Sequence, residues 1–294
     1  MTPIEAAFET RRNARAVSDS MRHRVVVAMM AALSLALTTS SQSTQESYRA
    51  PRTADDKPDL NGIWQALGTA HWDIEGHAAR PGPIIALGAL GAIPAGMGVV
   101  EAGEIPYQPW AKAKKEENSE NWLTADPAIK CYMPGVPRAT YMPFPFQIVQ
   151  TPEHILVAYE FASSTRVIYM NKPDFESPVD TWMGHSRGYW EGETLVVDVT
   201  SQVPDTWFDS SGNFHSEAVH VVERYTPLSP NALRYEVTIE DPKVFTRPWK
   251  MSMPLYRRLD QNLRLLEFKC VEFVEELMYG HLRKSESGND SRED

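Results

Sequence analysis

The chain has 294 residues, 42% of them hydrophobic and 10% aromatic, so it is long enough to bury a substantial core in one main domain. It carries 29 basic and 39 acidic residues, for a formal net charge of -10. This acidic balance, with no basic run outside the N-terminus, argues against nucleic acid or an anionic membrane surface as a partner. A neutral or cationic small molecule fits better.

Residues 1–42 predict a secretory signal peptide. A short basic stretch at 21–24 precedes an uncharged apolar run at 25–37, which is too short for a comfortable membrane span, and polar residues follow. Cleavage near residue 42 would leave a periplasmic or secreted chain with no stable membrane span. An uncleaved N-terminal anchor is the alternative. The polar, proline-containing residues 43–58 are predicted to be a linker.

The chain has only two cysteines, Cys131 and Cys270. In an oxidising compartment, an even pair far apart in sequence most simply forms a disulfide bond. Two free buried thiols are the alternative.

Short runs of alternating polarity predict an antiparallel sheet from residue 146 onward. The clearest period of two lies at 233–239, and Glu191-Gly192-Glu193 is typical of a hairpin turn between two runs. The full set of predicted strands in this part of the chain covers 146–150, 155–160, 166–170, 189–190, 194–200, 218–226, 233–239, 249–256 and 263–270. Six to eight strands with hairpin links and no helical crossovers favour an all-β fold with a closed or nearly closed antiparallel barrel.

Other segments are predicted to lie around this barrel. Short peripheral helices are expected at 109–118 and 272–280, an apolar loop or broken helix at 83–100, and extended coil through the proline-rich stretch 131–146. The barrel domain would span residues 59–283, and residues 284–294 form a charged tail that is expected to be disordered.

Two sets of motifs resemble known families. Gly62-Ile63-Trp64 is similar to the Gly-x-Trp at the first strand of lipocalins and other calycin barrels, where the tryptophan plugs the closed end. The stretch 184–198, with the pattern GHSxGxWEGxTLVVD, resembles the hallmark of a large uncharacterised family of exported bacterial proteins. The second resemblance spans roughly residues 59–275. It implies a secreted, β-rich, lipocalin-like domain, and it brings no activity with it.

The candidate active site lies between Trp182 and Tyr225, where titratable and aromatic side chains are dense. We predict His185 and His215 as acid and base, because histidine exchanges protons near neutral pH. Asp209 or Glu223 would orient an imidazole. Arg187 would stabilise negative charge or, alternatively, pair with a nearby aspartate. The side chains expected to contact substrate are Trp72, Trp182, Trp190, Trp207 and His220.

The leading hypothesis is an exported barrel that acts on a small hydrophobic or aromatic molecule by cofactor-free acid/base catalysis, as a lyase, isomerase or cyclase. A carrier that binds the same molecule without chemistry is one alternative. A metal-dependent hydrolase with His71, Asp73 and His77 as ligands is the other. No cofactor is expected in the leading hypothesis. The sequence does not identify the substrate, the direction of a reaction or the oligomeric state.

Overall fold

The computed structural model describes residues 48–82 and 85–271. The predicted signal peptide, the helix expected at 272–280 and the tail at 284–294 therefore lie outside the described residues. Within the described part of the chain, no helix is long and apolar enough to cross a membrane.

Nine strands form a closed barrel, as the all-β, lipocalin-like prediction required. The strands are β1 (Gly62–Ala66), β2 (Phe146–Gln150), β3 (His154–Tyr159), β4 (Thr165–Met170), β5 (His185–Glu191), β6 (Thr194–Thr200), β7 (His220–Ser229), β8 (Ala232–Glu240) and β9 (Trp249–Arg257). Alternation explains why they form a wall with one buried face. In β8, Leu233 and Tyr235 are buried inside whereas Arg234 is exposed outside. The run predicted as a strand at 263–270 has no regular structure.

Neighbouring strands follow chain order, and β9 pairs with β1 to close the barrel. Every pair is antiparallel except β4 with β5, which is parallel. A parallel pair needs a connection that returns the chain to the starting end of the sheet. Residues 171–184 provide it, and they run along the outside of the wall, where the carbonyls of Pro173 and Phe175 bond to side chains of β5.

The side chain of Trp64 is directed towards the end of the barrel at which β1 begins, which we call the closed end. This side chain is buried, its indole N–H donates to the Leu60 carbonyl at 2.9 Å, and the guanidinium of Arg257 lies 4.2 Å from the ring centroid. The described part of the predicted linker also packs here, because Ala50 is buried and Arg52 pairs with Glu193.

The long segments 67–145 and 201–219 cover the opposite end, which we call the capped end, and we call these two segments the cap. Residues 67–145 hold helices α1 (Pro109–Glu120), α2 (Trp122–Ala125) and α3 (Arg138–Tyr141), with 3-10 turns at Ile85–Gly91 and Pro127–Lys130. A further 3-10 turn, Phe161–Ser163, follows β3. The helix predicted at 109–118 is α1. The extended coil predicted at 131–146 was wrong in part, because α3 forms within it.

Cys131 and Cys270 form the predicted disulfide bond, with their Cα atoms 5.7 Å apart. It ties the otherwise irregular segment after β9 back to the turn that follows Pro127–Lys130. A disulfide bond indicates that the chain matures in an oxidising environment.

Candidate functional site

The centre of the barrel is filled by a polar cluster. Arg166 and Glu223 form a two-point ion pair at 2.7 and 3.0 Å, with both side chains buried. The hydroxyls of Tyr225 and Tyr235 donate to the same carboxylate, at 2.9 and 2.6 Å. Both carboxylate oxygens of Glu223 therefore accept hydrogen bonds from core residues, and neither bonds to His185 or His215. The side chains of this cluster are all buried in the barrel interior.

Asp209 organises the loop 201–219, which seals the capped end. Its carboxylate accepts hydrogen bonds from the backbone N–H groups of Ile74, Ser211 and Asn213 and from the side-chain amide of Asn213. Burial, followed by the nearby charge of Asp73, raises the pKa of Asp209 to about 7. The carboxylate thus fastens two segments of the cap together and contacts neither His185 nor His215.

His215 is sealed within the same loop. Its Nδ1 hydrogen bonds to the Ser216 carbonyl at 2.8 Å, so Nδ1 carries the hydrogen, and Nε2 accepts from the Thr206 hydroxyl at 2.7 Å. Burial lowers the pKa of His215. Since both ring nitrogens are occupied by protein groups and the side chain is only 2% exposed, His215 has no free nitrogen for a substrate.

His185 lies on the other side of the barrel wall. It starts β5 and faces outward, in alternation with the buried Ser186. Its Nε2 donates to the Phe175 carbonyl at 2.7 Å, and its ring stacks on Tyr169. The structure therefore does not bring His185 and His215 together, because one holds the outer connection in place and the other is buried in the cap.

Arg187, Asp198 and His220 form a polar row on the outer wall. Asp198 accepts from Arg187 at 2.6 Å and hydrogen bonds to Nε2 of His220 at 2.8 Å. These are cross-strand contacts between β5, β6 and β7. The pairing of Arg187 with an aspartate, which the sequence left as an alternative, is the arrangement found. His220 is consequently a residue of the outer wall whose ring hydrogen bonds to Asp198.

The hydrogen bond with Asp198 raises the pKa of His220, and the one from His220 lowers the pKa of Asp198. The pair should therefore stabilise the fold most strongly between the ordinary pKa values of aspartate and histidine, about 3.9 and 6.5. As the pH rises through the raised pKa of His220, or falls through the lowered pKa of Asp198, this stabilisation should disappear. Urea denaturation from about pH 5 to pH 9 should show the gap between wild type and His220→Gln shrinking with rising pH, and a constant gap would contradict the assignment.

The four tryptophans predicted to contact substrate lie in different parts of the structure. Trp182 stacks face to face on Tyr132 at 4.7 Å, Trp190 packs against the hydrophobic core, and Trp207 is buried in the cap. Trp72 alone of the four predicted to touch substrate lines the cavity described below. The four tryptophans expected to contact substrate therefore do not converge on one site.

The alternative metal ligands also have separate partners. Asp73 accepts from the Ser211 hydroxyl at 2.9 Å, while the ring nitrogens of His77 bond to the carbonyls of Glu75 and Pro94. Among residues 48–82 and 85–271, no group of three or more His, Cys, Asp or Glu side chains is placed to hold a metal ion. His71, Asp73 and His77 thus do not make a shared coordination site.

A cavity of about 420 Å³ lies at the capped end, beside the disulfide bond, and we call it the disulfide cavity. Its walls are mainly apolar, and their side chains come from five separate segments of the chain. The apolar wall residues are Trp72, Trp122, Ile129, Met142, Phe144, Phe161 and Phe268. Phe268 packs edge-on against Phe144, with ring centroids 5.4 Å apart. Residues 268–271, which the disulfide holds in place, close one side of the cavity.

The polar floor of the disulfide cavity consists of Asp126, Arg138 and Ser210. Arg138 forms a two-point ion pair with Asp126 at 2.8 and 2.7 Å and also donates to the Ser210 hydroxyl at 3.0 Å. Asp126 and Arg138 are almost completely buried. An apolar wall around a few convergent polar groups is the usual composition of a small-molecule site.

His71 completes the lining, and its ring is unlike that of His185 or His215. Its Nδ1 is buried without a hydrogen-bond partner of good geometry. Burial and the nearby charge of Arg138 lower the pKa of His71 to about 4, while a hydrogen bond with the Gly68 backbone opposes them. The imidazole is therefore neutral at neutral pH, with hydrogen-bonding capacity that the protein does not use.

Sequence analysis missed most of this cavity. Its residues lie far apart along the chain, and the floor residues Asp126 and Ser210 carry no motif. One available signal was the cysteine pair, because a Cys131–Cys270 bond requires the flanks of both cysteines to be neighbours in space. Those flanks supply Ile129 on one side and Phe268 on the other.

The fold and the cavity together define a closed, lipocalin-like β-barrel whose interior is packed and whose potential ligand site lies at its capped end. No family model matches the chain, and neither does any curated protein. The resemblance of residues 184–198 to an exported bacterial family therefore stays a prediction.

Proposed function

We propose that the protein binds a small apolar or aromatic molecule in the disulfide cavity, and that it does so as an exported binding protein. The observation that supports this most directly is the composition of the cavity, where a cluster of aromatic side chains surrounds a compact polar floor within about 420 Å³. The disulfide bond supports a site of action in an oxidising compartment, with the periplasm or the cell exterior as our finer assignment.

Binding has better support than acid/base catalysis. A general base must be within hydrogen-bond reach of the substrate and have a pKa near the working pH. His185 and His215 hydrogen bond to protein groups elsewhere, and the pKa of about 4 makes His71 a poor base at neutral pH. The lyase or isomerase hypothesis thus loses the residues on which it depended.

Replacing Trp72 with alanine is the direct test of this binding function. Trp72 lines the cavity and packs edge-on against Trp122 at 5.8 Å, so its removal takes away one aromatic wall. We expect the affinity for uncharged bicyclic aromatic compounds to fall about tenfold or more, measured by isothermal titration calorimetry.

Trp110→Ala is the matched control for Trp72→Ala. Trp110 lies on α1, is 56% exposed and does not line the cavity, so its loss should leave the affinity within about twofold. Equal losses in the two variants would contradict the proposed location of the site. Absence of binding by the folded wild-type protein, for every member of such a panel at millimolar concentration, would overturn the proposed function.

A further inference from the structure

The charges on the floor of the disulfide cavity cancel each other. The carboxylate of Asp126 accepts from both terminal nitrogens of Arg138 and from the hydroxyl of Ser210, the last at 3.1 Å. The floor thus contains one positive and one negative charge in direct contact, both removed from solvent. Neither charge is free to pair with a ligand unless the ion pair is broken.

A charged ligand would therefore lack a counterion at the floor. Lys269 is the other cation among the lining residues, but its side chain is 77% exposed and pairs with Glu267. Burying an unpaired carboxylate or ammonium group beside an occupied ion pair is strongly unfavourable. The cavity consequently favours a ligand whose polar group carries no charge.

Two polar atoms of the lining residues have unused hydrogen-bonding capacity. Nδ1 of His71 and Nε of Arg138 both lack a hydrogen-bond partner of good geometry, but both are sealed from solvent, so a ligand in the cavity cannot reach them. Nε2 of His71 is not sealed in this way and forms no hydrogen bond with the described residues, and the side chain lines the cavity. A neutral imidazole has one donor and one acceptor nitrogen. A hydroxyl group, which both donates and accepts, can therefore bond to Nε2 in either tautomer of the ring.

We propose that the ligand of the disulfide cavity is an uncharged hydroxyl-bearing ring compound, of the phenol or ring-alcohol class, whose hydroxyl group hydrogen bonds to the imidazole of His71. The inference rests on the proposed binding function and specifies its chemistry. A hydroxyl can donate to Nε2 of His71, whereas an ether of the same shape can only accept. The apolar walls take the ring.

The test compares two ligands that differ in one hydrogen-bond donor. Isothermal titration calorimetry near neutral pH would measure 2-naphthol and 2-methoxynaphthalene against the full chain and against His71→Phe, a replacement that keeps an aromatic ring and removes both nitrogens. In the wild type we expect 2-naphthol to bind about tenfold more tightly or better. In His71→Phe the two affinities should agree within about twofold. His71→Gln, which retains an acceptor and a donor, should keep part of the preference.

The possible outcomes separate the two proposals. If both compounds bind the wild type equally well, or if the preference for 2-naphthol survives in His71→Phe, the role of His71 is overturned while the binding function stands. If neither compound binds the folded wild type, the binding function itself fails. Circular dichroism and thermal unfolding identify a variant that does not fold, and His71→Gln then carries the comparison.

Discussion

Glu223→Ala should lower the free energy of unfolding by about 3 to 5 kcal/mol, the largest effect we expect from a single substitution. The side chain is fully buried, and its loss leaves the guanidinium of Arg166 and the hydroxyls of Tyr225 and Tyr235 without their acceptor. The buried guanidinium of Arg166 would then be an unpaired charge in the barrel interior. Guanidinium denaturation followed by tryptophan fluorescence would measure the change.

An exposed ion pair on the outer face of the barrel offers the matched control. Arg224, next to Glu223 in β7, faces outward and pairs with Glu191 at 2.7 Å, and about two-fifths of each side chain is exposed. Glu191→Ala should therefore lower the free energy of unfolding much less than Glu223→Ala does. The double variant Arg166→Met with Glu223→Leu should be more stable than Glu223→Ala, because no unpaired charge remains. Equal costs for the buried and the exposed pair would contradict the account of the barrel interior.

Removing the disulfide bond should affect both stability and ligand affinity. The bond spans a sequence separation of 139, for which the chain-entropy model gives about 5 kcal/mol and measured values are usually about 2 to 4 kcal/mol. The double variant Cys131→Ser, Cys270→Ser should lower the free energy of unfolding by about 2 to 5 kcal/mol. The same variant should lose ligand affinity, because residues 268–271 would no longer be held against the disulfide cavity.

Phe268→Ala separates the two effects. It removes a wall residue and leaves the disulfide intact, so ligand affinity should fall while stability changes much less than in the cysteine variant. Denaturation and calorimetry on the same preparations would provide both numbers. Unchanged affinity in the cysteine variant would show that the segment after β9 is not part of the binding site.

The barrel was predictable because its strands have a local signature. Alternation at 233–239 and the Glu191-Gly192-Glu193 turn indicate strand and hairpin without reference to any other part of the chain, and β2 and β6 were found at their predicted bounds. The parallel pairing of β4 with β5 has no such signature. It depends on how residues 171–184 travel across the wall, which is a property of the assembled sheet.

The site was harder to predict, because density of polar side chains along the chain is not proximity in space. Alternation in β5 and β7 sends neighbours such as His220 and Val221 to opposite faces of the wall, so one sequence cluster is divided between exterior, core and cap. The burial of each histidine and its hydrogen-bond partners then determine whether its ring nitrogens remain available to a ligand. His71 and His215 are both partly or fully buried histidines, yet the second has two protein partners, whereas Nε2 of the first has none among the described residues.

The pairing of β1 with β9 also determines when the fold can be completed. Trp64 lies opposite Arg257 in this pair, so β1 cannot complete its backbone pairing until β9 has been synthesised. Until the chain is available through residue 257, β1 and the most recently added strand both have unpaired edges, which are open to association with other chains. Such a long-range final contact gives the barrel a high contact order, and slow closure is the kinetic consequence.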